Sequence, residues 1–346
     1  MHAVILAGGI GKRLWPLSTQ LNPKPFLNFD NDLSLIQNTL LRVSKVISIK
    51  NIIISTNRSC SKKIIEHCNK LNISSQIEIL LEEESQDTTI SIATAATYIK
   101  NKYGKNEGIY FMPCDHIIKK ENNFFESMSS AQVLLQQNKV ALFGIKPTYA
   151  EKNYGYIKYE GKKVVNFIEK PSAALAEKFI ASGKYLWNSG IICCKARVIL
   201  DEIDRYNKGL LKSVENSLKT AIMSLDGKYK QIFCRKITTT MQHVSIDYST
   251  LQKSKNIAVL SCDIGWNDVG NWQQASQILP SDKNGNNIQG AVKMHDTSNC
   301  YIASNSKKII AVGVKDLVIL EKEGEILIMN KKDAAGFKSK YSQFSN

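Results

Sequence analysis

Nothing in the 346 residues approaches the run of about 18 apolar side chains that a membrane helix needs, so no span is expected. The first apolar stretch, Ala3 to Ala7, is too short for the core of a secretory signal and runs at once into glycines and charge, which argues against export. The 8 cysteines (Cys60, Cys68, Cys114, Cys193, Cys194, Cys234, Cys262 and Cys300) form no CxxC pair. Their spread fits buried thiols in a reducing cytoplasm better than a disulfide framework or a zinc site. No repeat of solenoid period and no low-complexity linker is present. A dense basic block is missing too, although Lys and Arg number 46 against 31 for Asp and Glu, a formal net charge of +15. The lysines are scattered, as in "SKKII", "YIKNKYGKN" and "EGKKVV", without interleaved aromatics, which reads as a solvated surface and not as a nucleic-acid interface.

What remains is an ordinary globular composition, 43% hydrophobic and 22% charged, in a chain long enough for one large core and a smaller satellite. In "SLIQNTLLRVSKVI", Ile36, Leu40, Val43 and Ile47 recur at helical spacing. "NIIIST" and "QIEILL" read as strands, with "SKKIIEHCNKL" as a helix between them. The series continues through the Ala-rich "ISIATAATYIKNKYG" helix into the strand "GIYFMPCDH" and on to "VALFGI". Alternation of this kind predicts an α/β domain with a mostly parallel, Rossmann-like sheet whose ligands bind outside the carboxyl ends of the strands, where Asp115 falls. From about Ile288 the texture changes to short strands, "KKIIAVGV" and "LVILEKEGEILIMN" with a Glu-Gly-Glu turn. "LPSDKNGNN" is the boundary candidate, giving a domain over 1–280 and a β-rich domain over 281–346.

The opening segment, "AVILAGGIGKRLWPLSTQLNPKPFLNF", sets a strand against glycines, a basic pair, a tryptophan and three prolines. It lacks the GK[ST] ending of a Walker loop and the third glycine of GxGxxG. Glycines after a strand still let backbone amides approach a phosphate, and Lys12 with Arg13 adds charge-assisted bonds. On the glycines alone, a plain tight turn fits as well.

"GGIGKRLWPLS" followed by "NPKPFL" resembles the GGxGxRLWPLS and PK signatures of the sugar nucleotidyltransferases, specifically the mannose-1-phosphate guanylyltransferases. The resemblance recurs in order through "PCDHII", "NYGYIKYE", "FIEKPS", "YLWNSGI", "SIDYSTLQKS" and "IGWNDVGNW", nearly the whole chain. It implies the Rossmann-like nucleotidyltransferase domain and a tail resembling a short left-handed β-helix. The chain stops before the cupin-type isomerase domain of longer relatives, so the short form is expected. The implied reaction is attack of a sugar 1-phosphate on the α-phosphorus of GTP, giving a GDP-sugar and pyrophosphate. Both reactants are polyanions, so cations and alignment matter more than a protein nucleophile.

Carried over onto this chain, the resemblance implies that Arg13 clamps the GTP phosphates with Lys12 assisting. Leu6, Ala7, Gly8, Gly9, Gly11, Asp87 and Thr88 would line the nucleotide. Lys24 would balance charge at the reacting phosphates. Asp115 and Asp268 would hold Mg²⁺, a hard cation suited to carboxylates, substrate phosphates and water. Singly, Asp115 also reads as a helix cap and Asp268 as a turn residue. His116 reads as structural, imidazole being a poor ligand for Mg²⁺. Glu169 and Asn188 would bind sugar hydroxyls, Lys170 the sugar phosphate, and Tyr154, Gly155 and Tyr156 would close over the sugar. Trp187, Trp266 and Trp272 read as packing. A cytoplasmic homodimer is expected, its product feeding polysaccharide or deoxysugar synthesis.

Four departures from the family pattern touch the substrate region: Gln86 where an arginine is usual, Lys152 and Asn153 where Thr-Gly is commoner, and Pro25 where glutamine is frequent. They keep another hexose or heptose 1-phosphate open as substrate. A silent sugar-nucleotide sensor is the rival of a different class, against which stand Arg13, Lys24, Asp115 and Asp268. A dinucleotide oxidoreductase lacks its glycine fingerprint.

Overall fold

The architecture is that of a computed structural model, which describes residues 1–9, 11–29, 31–71, 77–226, 229–237 and 244–336. The chain divides into two units. The first comprises Met1–Gly8, Thr39–Cys114 and Ile118–Trp266; the second comprises Gly9–Asn38, Asp115–Ile117 and Asn267–Asn346.

The first unit is built on an 11-stranded sheet. Its strands are β1 (His2–Leu6), β2 (Ile52–Asn57), β3 (Ile77–Glu82), β4 (Gly108–Pro113), β5 (Val140–Ile145), β6 (Gly155–Glu160), β7 (Lys163–Glu169), β8 (Tyr185–Lys195), β9 (Ile222–Asp226), β10 (Tyr229–Phe233) and β11 (Ile257–Cys262). Their spatial order is β9-β10-β3-β2-β1-β4-β8-β5-β11-β7-β6. The runs "AVIL", "IIIST" and "IEILL" are buried along almost their whole length, as strands covered on both faces must be.

The sheet is mixed, where the alternation predicted a mostly parallel one. Parallel pairing holds from β3 through β2 and β1 to β4, and again for β5 with β11. The eleven-residue β8 then runs antiparallel to both β4 and β5. Strands β6 and β7 form a hairpin about Gly161, whose φ of 59° is one that glycine adopts without strain. A turn that short cannot return a chain to parallel register, so the helix-free stretch is antiparallel.

Of the helices, Thr88–Tyr103 is deeply set. Asp87 caps its start by accepting from Thr88 N at 2.7 Å, and Gly104 N donates to Lys100 O at 3.0 Å at its end. Ala93, Ala95 and Ala96 let it join the core of this unit, with Val4, Phe111, Ile199 and Ile203.

Among the described residues, the C-terminal part of the second unit is built on six short strands, β12 (Asn287–Gln289), β13 (Val292–His295), β14 (Tyr301–Ser304), β15 (Ile309–Val312), β16 (Leu317–Lys322) and β17 (Glu325–Asn330). They stack as parallel rungs, β12 on β14 on β16 and β13 on β15, and end in the antiparallel β16–β17 hairpin, as the Glu-Gly-Glu turn predicted. Asn286, 1% exposed, locks the entry to the rungs by bonding Asp282, the carbonyl of Thr297 and the amide of Cys300. Inside this unit, Leu14, Leu27 and Phe29 share one apolar cluster with Trp272, Tyr301, Val318 and Leu320. All eight cysteines are free and buried, and among the described residues no helix is long and apolar enough to cross a membrane.

Candidate active site

Predicted site residues gather in three places, one in the second unit and two in the first. In the second unit the assembly starts at the glycine loop. Gly11 has φ 76°, and a β-carbon there would overlap the Lys24 side chain, so the loop packs against that lysine only because the residue is glycine. Lys24 opens the 3₁₀ turn Lys24–Phe26, which Pro25 stiffens. That turn carries the lysine inward, to 5% exposure.

Buried, the ammonium needs partners. It lies 2.8 Å from Asp115 Oδ2 and donates to the main-chain carbonyl of Asp268. Residues 24, 115 and 268 therefore meet on one nitrogen. Burial opposes ionisation of Asp115, but Lys24 and then His116, whose Nε2 is 3.9 Å away, hold its carboxyl below the usual range. Asp115 is not a helix cap, since the following helix begins at Glu121 with Lys120 as its cap. Asp268 does act in its turn, Oδ1 accepting from Gly270 N at 2.9 Å, while Val269 beside it has φ 46°, an outlier for a β-branched residue. Arg13 is half-buried, and among the described residues its guanidinium has no hydrogen-bond or ion-pair partner. The Lys12 side chain lies outside the described part.

The Asp115 carboxylate, held ionised beside a lysine that Asp268 meets through its main-chain carbonyl, is a hard-oxygen donor of the kind that suits a small divalent cation, and Asp268 carries a second carboxyl on the same turn. Among the described residues, no group of three or more His, Cys, Asp or Glu forms a metal cage. Substrate and water oxygens would have to complete the coordination.

In the first unit, Leu6, Ala7 and Gly8 follow the path of β1, and Ser85 Oγ donates to Gly8 O at 3.2 Å. Asp87 has φ 76° with ψ 163°, a region few side-chain-bearing residues occupy. Thr88 Oγ1 accepts from Ile246 N at 3.0 Å. Gln86 is 2% exposed, and its amide closes a two-bond ring with Ile237, Gln86 Nε2 donating to Ile237 O at 2.8 Å and Ile237 N donating to Gln86 Oε1 at 3.1 Å. The residue standing in for the family's arginine thus ties two loops of this unit together.

The third group of predicted residues lies at the end of β7 and along β8. Glu169 ends β7 with its side chain 7% exposed, Lys170 Nζ is 3.2 Å from its Oε1, and Tyr248 presents its ring to that ammonium at 5.6 Å. Gly155 faces Glu169 so closely that a β-carbon would strike Oε2. Asn188 on β8 donates from Nδ2 to Asp247 Oδ1 at 2.8 Å and accepts from Gly190 N at 3.2 Å. Burial, then the charge of Asp247, raises Glu169 to about 7, with Lys170 opposing; burial raises Asp247 as well. Asp247 stands in "SIDYSTLQKS", a segment that carried the resemblance but to which no site was assigned.

Tyr154 packs edge-on to Trp187 and Trp266, each ring pair 5.2 Å between centroids. Tyr156 is fully buried, with its hydroxyl accepting from Glu151 N. Asn153, one of the departures, fastens the same loop through two bonds to Glu151 Oε1. Trp187 and Trp272 are packing residues, 4% and 0% exposed.

Comparison with known proteins gives the family. The model of the nucleotidyl transferase family matches residues 2–284. A mannose-1-phosphate guanylyltransferase of Escherichia coli is 33% identical over 97% of this chain and 74% of its own length. The mannose-1-phosphate guanylyltransferase 2 of Escherichia coli O157:H7 is 34% identical over 96% and 70%. Among solved structures, one described as a mannose-1-phosphate geranyltransferase, from Thermus thermophilus, superposes with a TM-score of 0.84 at 24% identity, covering 100% of this chain and 99% of that one; at that identity it speaks for the fold alone.

Proposed function

Since this chain belongs to the nucleotidyl transferase family, we propose that it transfers GMP from GTP to α-D-mannose 1-phosphate, forming GDP-mannose and pyrophosphate, the activity for which its curated relatives are named. A non-bridging oxygen of the sugar phosphate attacks the α-phosphorus. The new P–O bond forms as the bond from that phosphorus to the bridging oxygen of the β-phosphate breaks, and the electron pair leaves on pyrophosphate. A sugar phosphate with a second pKa near ~6 is already dianionic at neutral pH, so no protein base is needed.

The single observation that supports this most is the convergence of Lys24, Asp115 and Asp268, from three distant stretches of chain, on one buried ammonium. Lys24 would hold the reacting phosphates against their mutual repulsion, and Arg13, which has no partner among the described residues, would clamp the triphosphate. A divalent cation, Mg²⁺ in this reading, supplies charge neutralisation at the phosphates when bound, and Asp115 and Asp268 would be its ligands. Amides of Gly8, Gly9 and Gly11, with Leu6, Ala7, Lys12, Asp87 and Thr88, would line the nucleotide. The backbone strain at Asp87 supports a functional role there. Glu169 and Asn188 would read sugar hydroxyls and Lys170 would meet the sugar phosphate, beneath Tyr154, Gly155 and Tyr156.

The same reading divides the chain into a catalytic part, 1–280, and a β-rich part, 281–346, whose parallel rungs support a short left-handed β-helix. It includes a homodimer and a reducing cytoplasm, the latter supported by eight free cysteines. The test is pyrophosphate release with each NTP against a panel of sugar 1-phosphates and Mg²⁺. Release is expected with GTP and mannose 1-phosphate. Preference for another hexose or heptose phosphate moves the specificity, and no release with any pair leaves the sensor.

A further inference from the structure

The carboxylate of Asp247 acts on Glu169, yet the proposed reaction has given it no task. It opens the five-residue π-helical turn Asp247–Leu251 and is half-buried. Its segment is anchored just upstream, where Thr88 Oγ1 accepts from Ile246 N at 3.0 Å and Thr89 Oγ1 donates to Val244 O at 2.6 Å. Downstream, Gln252 N donates to Asp247 O at 2.9 Å and Gln252 Oε1 accepts from Glu169 N at 3.1 Å. One short turn therefore fixes Asp247 and the end of β7 together.

Asp247 Oδ1 accepts from Asn188 Nδ2 at 2.8 Å, and an oxygen used as an acceptor there admits the Nδ2 end of the amide and rejects its Oδ1. The opposite end then meets Gly190 N, which only donates. Asn188 has a single amide orientation under these two contacts, with its second N–H left for a ligand. We infer that Asp247 is a positioning residue of the sugar site: it fixes the amide of Asn188 and, through the turn that it opens and that bonds the end of β7, holds that amide and Glu169 in one frame to receive the hydroxyls of a hexose 1-phosphate.

This rests on the assignment of Glu169, Lys170 and Asn188 to the sugar. Among the described residues, the groups around the pair include Lys170, which is 3.2 Å from Glu169, the Tyr248 hydroxyl, which donates to Glu169 O at 3.4 Å, the amides of Asn188 and Gln252, and the Ser245 side chain near Asp247. Lys170 is the cation of this group. A sugar phosphate that draws Lys170 toward itself leaves Glu169 under the charge of Asp247 without its counter-ion, and carboxylates that repel each other retain a proton.

The test compares wild type with Asp247→Asn, which is nearly isosteric but permits Asn188 to flip. Wild-type KM for the sugar phosphate should rise as Glu169 ionises near pH 7. In Asp247→Asn that break moves to lower pH, because the charge raising Glu169 is gone. At pH 7 the KM for mannose 1-phosphate should increase about tenfold, the loss of one oriented hydrogen bond. Discrimination against glucose 1-phosphate should fall, and the KM for GTP should stay within about twofold. An unchanged sugar KM and pH break, or a parallel loss in kcat and both KM values, overturns the assignment. Calorimetric titration of mannose 1-phosphate without GTP separates the two levels. If wild type binds the sugar phosphate but releases no pyrophosphate, the transferase reading fails, and the role of Asp247 is still decided by whether Asp247→Asn weakens that binding.

Discussion

A lysine in the middle of "NPKPFL" looks like any exposed loop cation until its burial is known, and burial is what gives it consequence. Lys24→Ala removes a charge that Asp115 and the Asp268 carbonyl both use. By analogy with preorganised oxyanion donors, kcat should fall about a hundredfold or more, roughly 3 to 4 kcal/mol, with steady-state pyrophosphate release as the measurement. Gly11 belongs to the same local arrangement, because its missing side chain is the room Lys24 occupies. Glu82 gives a second prediction, on stability. At 6% exposure, burial raises its carboxyl to about 7 against bonds from Ser91 and Gln86 that lower it. The folded state then holds a proton that the unfolded state has released, so its contribution is fully present below the unfolded value near 4.5 and declines as pH rises toward 7. Glu82→Gln should flatten that decline, on the order of 3 kcal/mol at most, in urea titrations run from about pH 4.5 to about 7.5.

Helix and strand periods locate the elements; cross-links between loops decide how they are held. The Gln86 ring satisfies the main-chain amide and carbonyl of Ile237. Gln86→Leu should cost about 2 to 4 kcal/mol, read as a lower urea midpoint with unchanged slope. The arginine usual in the family cannot be read as simply missing, since its replacement has become structural. Glu321 does similar work among the rungs. The backbone amides of Ser306 and Lys307, with that of Asn305, converge on its carboxylate and hold it down at about 2. This stability is present above the ordinary carboxylate value and is lost as pH falls toward 2.

At the scale of the whole molecule, the unit that holds Lys24, Asp115 and Asp268 is assembled from three separate stretches of chain. Its apolar cluster joins Leu14, Leu27 and Phe29 of the glycine-loop region to Tyr301, Val318 and Leu320 of the rungs. Each such side chain contributes roughly 1.5 to 3 kcal/mol by burial. A chain ending at residue 280 should therefore lose activity even though it keeps every proposed catalytic residue. Its second-unit residues should also exchange amide protons quickly while the large sheet stays protected. Full activity of that fragment would show that the β-rich part is dispensable.

The first five strands of the large sheet, β1 to β5, the Ala-rich helix and the β-rich tail were legible in the sequence, because hydrophobic period and turn chemistry are local properties. The reaction class was legible through motif order, since each motif carries its residues at fixed spacing. Only the tertiary structure decided that the sheet is mixed, that Gln86 bridges two loops, that Asp247 meets Asn188, and that one ammonium gathers residues 24, 115 and 268. Those facts depend on which distant side chains share a low-dielectric space, and burial and long-range contact leave no period in a linear string.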